Sequence, residues 1–192
     1  GTVIIGDQLW MAKNLKISTF NDGTPIPFVT DAPNWLNLTS PAFCMYDYNI
    51  DNADIYGGLY NWYAVGTGKL CPVGWHVPTL EDYIHLRDDI LGGFEIAGGK
   101  IKATGTLEES NGLWHYPNTG ATNESGFTGV PAGSVSRYGT FGGLGYQTNW
   151  WLSTELDINN GLRYGTNNDN AYLGHAYTSK VGGGFSVRCI KD

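Results

Sequence analysis

The chain has 192 residues, enough for one domain with its own core, and 28 of them are glycine. Aromatic residues make up 14% and charged residues only 15%, a composition that excludes a disordered chain, a coiled coil and a bundle of long helices. The 11 basic and 18 acidic residues give a net charge of −7, so nucleic acid is not an expected partner.

The chain begins with short strands. Residues 2–6 and 8–12 are apolar segments separated by a Gly-Asp turn, which predicts a hairpin. Four prolines between residues 25 and 45 predict an extended loop without a helix, and the acidic residues 47–54 continue that loop.

Three helices are predicted after this loop. Residues 58–65 have apolar side chains at helical spacing. A stronger pattern begins at Thr79, which forms an N-cap pattern with Asp82 before an apolar stripe and ends at two glycines. A weaker helix covers about residues 95–103, although its two internal glycines cost about 1 kcal/mol each relative to alanine.

From residue 104 onward, short segments with high β-propensity alternate with connectors rich in Gly and Asn. These segments are residues 150–154, 171–173 and 185–190. Helices that come early and strands that come late indicate the α+β class. We expect residues 1–192 to form a single loop-rich domain in which the early helices pack on short antiparallel strands.

No apolar run approaches the roughly 18 residues that span a bilayer, so we expect no membrane insertion by this chain. The chain begins at Gly1 rather than Met, and we expect any secretion signal or lipid anchor to lie upstream. Export therefore has to be inferred from other features.

The cysteines are the first of these features. Cys44, Cys71 and Cys189 are far apart, without a Cys-x-x-Cys pair or a histidine at ligand spacing, which argues against a zinc site. Three cysteines allow one internal bridge at most. The residues alone leave open three buried thiols or one disulfide in an oxidising compartment.

Catalytic motifs are absent from the sequence. The four histidines are scattered, neither Gly-x-Ser-x-Gly nor His-Glu-x-x-His occurs, and the carboxylate pairs are adjacent rather than opposed. We expect the chain not to be an enzyme; an unrecognised active site is the alternative.

A calcium site is the one cofactor site that the sequence suggests. Asp47, Asn49 and Asp51 place oxygen ligands at alternate positions, with Asp54 close by, as at the start of a calcium loop. The pattern departs from an EF-hand at the turn glycine and at the final glutamate. A polar loop without metal is the alternative.

Aromatic side chains in loops suggest a binding surface, because sugars present apolar C–H faces to aromatic rings and polar edges to Asn and Asp. Tyr- and Asn-rich loops suit protein partners equally well. In the Trp150-Trp151 pair, strand alternation predicts one core side chain and one exposed side chain. The candidate ligand-binding residues are Trp114, Tyr116, Tyr138, Tyr146, Trp150, Tyr164 and Tyr172, with Trp35 as a further loop aromatic.

Six short motifs spread over nearly the whole chain are specific in combination. They are residues 21–27 (NDGTPIP), 56–64 (YGGLYNWYA), 71–79 (CPVGWHVPT), 118–127 (NTGATNESGF), 150–155 (WWLSTE) and 184–192 (GFSVRCIKD). Together they resemble the Fibrobacter succinogenes major paralogous domain, a family found in exported and lipoprotein-like chains of gut and rumen bacteria.

The resemblance implies a C-type-lectin-like fold, also used by formylglycine-generating enzymes, with paired terminal strands and long loops on one side. It implies a Cys71–Cys189 disulfide and leaves Cys44 buried. The oxidase activity does not carry over because Cys189 lacks a second thiol nearby. Calcium-bridged sugar binding does not carry over because the Glu-Pro-Asn signature is absent.

The expected function is a non-catalytic, exported module at the cell surface or outside the cell. It would bind a glycan, polysaccharide or surface protein through aromatics in the loops of residues 104–182. The alternative is a structural or adhesion component of the cell envelope, whose loops pack against neighbouring chains.

Overall fold

Residues 1–192 are all described by a computed structural model, which contains twelve strands and five short α-helices. The strands are β1 (Thr2–Ile5), β2 (Gln8–Met11), β3 (Phe43–Cys44), β4 (Leu59–Asn61), β5 (Trp75–His76), β6 (Ala132–Ser136), β7 (Phe141–Leu144), β8 (Gln147–Glu155), β9 (Asn160–Asn167), β10 (Gly174–Ser179), β11 (Gly183–Phe185) and β12 (Ile190–Lys191). The helices are α1 (Ala32–Trp35), α2 (Ala53–Tyr56), α3 (Trp62–Val65), α4 (Leu80–Ile84) and α5 (Phe94–Ile101).

The strands form two sheets, which confirms the α+β prediction. The smaller sheet has the order β1-β2-β12-β5, so strands from both ends of the chain pair in it, with Ile190 opposite Trp10. The larger sheet has the order β10-β9-β8-β6-β11-β4-β3, and β7 pairs with β6. All the strand pairs are antiparallel except β6 with β8.

The predicted hairpin and the strongest predicted helix are both present. Gly6 turns the chain between β1 and β2 with a positive φ of 61°. At α4, the Asp82 N–H donates to the Thr79 hydroxyl (3.1 Å) and the Thr79 N–H donates to the Asp82 carboxylate (2.8 Å). This capping box satisfies donors that the first turn leaves free. The helix continues as a π-helical segment over His85–Ile90.

Four local predictions need correction. The proline-rich loop contains α1, because Pro33 lies in the first turn, where its missing N–H is tolerated, and Asp31 caps the turn. Residues 59–61 form β4 rather than the start of a helix, since Asn61 is the N-cap of α3. Two late strand segments also differ: residues 171–173 are not a strand, since β10 begins at Gly174, and residues 185–190 are not one strand, since β11 ends at Phe185 and β12 begins at Ile190.

The prediction of a third helix is confirmed by α5, and its two glycines have a packing role. A Cβ at Gly98 would lie closer than 3.0 Å to the Tyr172 carbonyl oxygen, and one at Gly99 would meet the Gly120 carbonyl oxygen in the same way. Because the two glycines have no side chains, the backbones of two loops can pack directly against the helix.

Trp150 and Trp151 point to opposite faces of β8, but both are fully buried. Trp151 packs in a cluster of 16 core residues and Trp150 in a second cluster of 14. The prediction that one of them is exposed is wrong because β8 has core on both faces.

A Cys71–Cys189 disulfide with an S–S distance of 2.03 Å joins the segment before β5 to the segment before β12. This confirms the pairing that the family resemblance implies. Cys44 is a buried free thiol, and burial raises its pKa. None of the helices has the length and hydropathy that a bilayer-spanning segment requires.

Arg188 is a buried cation without a carboxylate partner. Its guanidinium lies 3.9 Å from the centroid of the Phe127 ring and donates to the Phe127 carbonyl oxygen. Nη2 donates to Asn14 Oδ1 (2.9 Å), which also accepts a hydrogen bond from the Trp150 indole (2.8 Å). The terminal segments, a central loop and β8 thus meet at one guanidinium.

Lys102 is a second buried cation, at the end of α5. Its ammonium donates to the carbonyl oxygens of Thr119 (2.8 Å), Asn167 (3.0 Å) and Asn170 (2.8 Å). These three bonds use all three N–H groups of the lysine and fix two loops against the helix.

His76 links α4 to the C-terminal residue. Its ring nitrogens lie 2.7 Å from an Asp192 carboxylate oxygen and 3.1 Å from an Asp82 carboxylate oxygen. Burial alone would lower the pKa of His76, but the hydrogen bonds to Asp192 and Asp82 outweigh it and raise the pKa above 6.5.

We expect Gly98→Ala to destabilise the protein by about 1–3 kcal/mol, although alanine is the better helix former, because the new methyl group collides with a carbonyl oxygen. The free energy of unfolding in urea would measure this. Gly142→Ala is the matched control, since no atom lies within 4 Å of its added carbon. Equal effects of the two substitutions would contradict the packing role.

We expect His76→Gln to destabilise the protein by up to about 1 kcal/mol more at pH 5.5 than at pH 8.5. The charged imidazole stabilises the fold below pH 6.5, and this contribution is lost as pH rises through the raised pKa of the folded state. Denaturant unfolding at both pH values would measure it.

His175→Gln is the control for this pH dependence. Burial and the nearby Arg87 lower the pKa of His175, so its protonation costs stability at low pH and the difference should have the opposite sign. The same sign for both variants would refute the His76 assignment.

Candidate ligand-binding site

A groove of about 410 Å³ lies between the β6–β7 hairpin and strands β8 and β9. We call it the Arg163 groove and define it by the side chains that line it. They are Ser134, Val135, Ser136, Thr140, Phe141, Gln147, Asn149, Arg163 and Phe185, with Gly142, Gly143 and Gly182 between them.

Strand register explains why polar side chains reach this groove. Arg163 on β9 lies opposite Trp151 on β8, so the two side chains share a face of the sheet. Trp151 is covered by Phe185, whereas Asn149, two residues earlier on that face, lines the groove. Gly165 lies opposite Asn149, and a Cβ there would collide with the Asn149 side chain. Because Gly165 has no side chain, the Asn149 amide can occupy this space.

Arg163 has an incomplete set of partners. Nη1 donates to Asn149 Oδ1, and the guanidinium carbon lies 5.2 Å from the centroid of the Phe185 ring. Nε is buried without an acceptor, and no carboxylate lies within 4.0 Å of the guanidinium. Burial lowers the pKa of Arg163. The groove therefore holds a positive charge that the protein does not balance.

The walls of the groove are neutral and polar. The hydroxyl oxygens of Ser136 and Thr140 lie 2.6 Å apart, and the lining contains no Asp or Glu. Phe141 adds an apolar surface, whereas Phe185 is buried and packs against Trp151 and the Arg163 guanidinium. Hydroxyl and amide groups beside aromatic faces can hydrogen-bond the edges of a sugar and pack against its C–H face.

Three of the predicted ligand-binding residues are buried, and the prediction that they lie on the surface is wrong. Trp114 lies beneath the Lys102 ammonium and donates to the Gly129 carbonyl oxygen (3.0 Å). Trp150 and Tyr164 stack in the core with ring centroids 5.2 Å apart, because strands β8 and β9 are covered on that face. The further loop aromatic Trp35 is buried as well, in a third cluster.

The other four predicted residues, Tyr116, Tyr138, Tyr146 and Tyr172, are on the surface, between 47% and 69% exposed. They do not form one face. Tyr138 lies in the turn of the β6–β7 hairpin, next to the groove residue Ser136, whose hydroxyl accepts its N–H. Tyr172 stacks on Phe94 instead.

Tyr116 and Tyr146 come together around a histidine and a carboxylate. The His115 ring stacks on Tyr146 with centroids 4.2 Å apart, and its Nδ1 lies 2.7 Å from Glu108. The second oxygen of Glu108 accepts the Tyr116 N–H (2.8 Å). Glu108 therefore fixes the backbone beside one tyrosine and the imidazole that stacks on the other.

The side chains of the predicted calcium loop have other partners. Asn49 Oδ1 accepts the Asp51 N–H (3.0 Å), and Asp54 forms an ion pair with Lys16. Asp47, Asp51 and Asp54 do not converge, and no group of three or more His, Cys, Asp or Glu side chains is close enough to share a metal ion.

Sequence reasoning missed Arg163, Asn149 and Gln147. In the sequence, an isolated arginine such as Arg163 resembles an ordinary solvated charge. Its lack of a carboxylate partner can be seen only once the strands are paired, because it depends on contacts across the sheet. The local signal was the polar character of residues 147 and 149 at alternate positions before Trp151, which marks a strand face that leaves the core.

Comparison with known proteins finds one match, over almost the whole chain. The Fibrobacter succinogenes major domain family matches residues 3–191. No curated protein and no solved structure matches the chain. The likeness to the C-type-lectin-like fold thus stays a prediction, whereas the extent of the family match shows that this chain belongs to the Fibrobacter succinogenes major domain family.

Proposed function

We propose that this domain is an exported, non-catalytic binding module that holds a glycan in the Arg163 groove. The observation that carries the proposal is the combination of hydroxyl, amide and aromatic side chains in one open groove of about 410 Å³. A groove of this size accepts a few sugar rings rather than a protein surface. Tyr138, in the hairpin turn beside it, offers an exposed ring for a further sugar.

The Cys71–Cys189 disulfide supports export, because such bonds persist in oxidising compartments and are rare in the cytosol. Two of the four histidines are unsuited to proton transfer, whereas His115 uses only Nδ1, on Glu108. Both ring nitrogens of His76 and of His85 face carboxylates, so neither ring has a free nitrogen to take a proton from a substrate.

We expect Gly142→Phe to weaken glycan binding at least tenfold. Gly142 on β7 lies opposite the groove residue Ser134 on β6, and no atom lies within 4 Å of a Cβ added at Gly142. A phenyl ring at this position therefore occupies the groove. A glycan array of plant, host and bacterial sugars would identify the ligand, and calorimetry would measure its affinity for the variant. Because no carboxylate lines the groove, we expect the same binding with calcium and with a chelator.

Two variants control this experiment. Gly142→Ala adds one methyl group and should bind almost normally, and Tyr172→Ala removes an exposed aromatic outside the groove and should bind like the wild type. Binding lost in Tyr172→Ala but kept in Gly142→Phe would place the site elsewhere. If no sugar on the array binds to the wild-type domain, the glycan proposal is refuted.

A structural or protein-contact role is the second candidate, and the free edge of β10 favours it. The Lys180 N–H donates to the Asn159 carbonyl oxygen (2.8 Å), so by antiparallel alternation the backbone groups of His175 and Tyr177 face away from β9. The strand has no proline or bulge to block pairing with β10 of a second copy.

Light scattering over a range of concentrations would test this second role. Pairing through β10 predicts a dimer that Tyr177→Lys weakens, because a charged side chain on an edge strand opposes pairing. Tyr172→Lys is the control, since this exposed tyrosine precedes the strand. A monomer at every concentration would exclude self-association by the β10 edge.

A further inference from the structure

We infer that the Arg163 groove selects glycans that carry a carboxylate, such as uronic or sialic acids, and that Arg163 is the residue that binds this group. The inference rests on the proposed function, since it names the ligand class for the same groove.

The first argument is the state of the Arg163 guanidinium. One of its nitrogens, Nη1, is bound to Asn149, while Nε is buried without a partner and Nη2 donates to no group of the protein. An arginine side chain has five N–H donors, and leaving buried donors unsatisfied is unfavourable. Nη2 is not among the buried unsatisfied atoms, so it is open to a ligand oxygen, which would give the guanidinium a second acceptor.

The second argument is the contrast with other cations in this acidic chain. Arg87 is paired with Asp88, and lysines 16, 69, 100 and 180 each lie within 4.0 Å of an Asp or Glu. Arg163 has no such partner. The buried Lys102 and Arg188 have none either, but all their side-chain nitrogens donate to protein oxygens, whereas Arg163 donates only through Nη1. Because the groove lining has no acidic side chain, a bound carboxylate would meet a cation and neutral donors, without repulsion at short range.

The third argument is preorganisation. Phe185 lies 5.2 Å from the guanidinium carbon and Asn149 fixes Nη1, so two contacts hold the group in place before a ligand arrives. A charge that is already held loses little conformational entropy on binding. Hydrogen bonds between arginine and a carboxylate are also stronger than those between neutral groups.

Binding to matched pairs of glycans tests the inference. The probes are oligogalacturonate, oligoalginate and sialyllactose, each beside its carboxyl-reduced counterpart, which has the same backbone without the charge. We expect at least one acid to bind tenfold or more tighter than its reduced form, with a preference that declines as salt increases. Arg163→Gln should abolish the preference, and Arg163→Lys should keep part of it.

Arg137→Gln is the matched control. Arg137 also lacks a carboxylate partner, but it stacks on Tyr138 in the hairpin turn, 5.0 Å from the ring centroid, and does not line the groove. Its loss should leave the preference for the acid unchanged. Thermal unfolding of both variants would show that they are folded.

The outcomes separate this inference from the proposed function. Binding of neutral glycans that Gly142→Phe blocks, with no preference for an acid, would overturn the carboxylate inference and leave the glycan site. An acid preference that survives in Arg163→Gln would overturn the role of Arg163. Absence of binding to every acidic and neutral glycan would overturn both proposals.

Discussion

The guanidinium of Arg188 is the point at which distant parts of the chain have to meet. It is fully buried without a carboxylate, so its charge is compensated only by Asn14, the Phe127 carbonyl oxygen and the faces of two aromatic rings. Removing any of these partners leaves a buried cation short of acceptors, which is among the most unfavourable changes in a core. The N-terminal segment, the central loop and the last strands therefore depend on one another, and the fold is complete only when all three are in place.

A second buried cation, Lys102, fixes loops in the same way. Lys102 binds carbonyl oxygens at the end of β9 and in two neighbouring loops, and so fixes irregular backbone that has few hydrogen bonds of its own. Arg188 and Lys102 have acceptors around them, whereas Arg163 has one. The fold thus contains two cations that stabilise it and a third, Arg163, whose remaining donors are available to a ligand.

Much of the fold, but little of the site, could be predicted from the sequence. The β1–β2 hairpin and the capping box at Thr79 are local patterns, and the disulfide was implied by the family resemblance. Exposure of the aromatics was not predictable for Trp114, Trp150 and Tyr164, because their burial comes from Lys102 and from packing on both faces of β8. The groove was missed for the same reason: the lack of a partner for Arg163 is a property of the assembled sheet.

The position of the disulfide has a mechanical consequence. Every residue of the groove lies between Cys71 and Cys189 in the sequence. The disulfide joins these two cysteines, which are 118 positions apart, and so closes a covalent loop around the groove residues. A tensile load applied at the two ends of the chain would pass through the sulfur atoms once the first 70 residues had been drawn out, and residues 72–188 would lie outside its path. The bridge therefore limits how far such a load can extend the chain, because residues 72–188 cannot be drawn out while the S–S bond is intact.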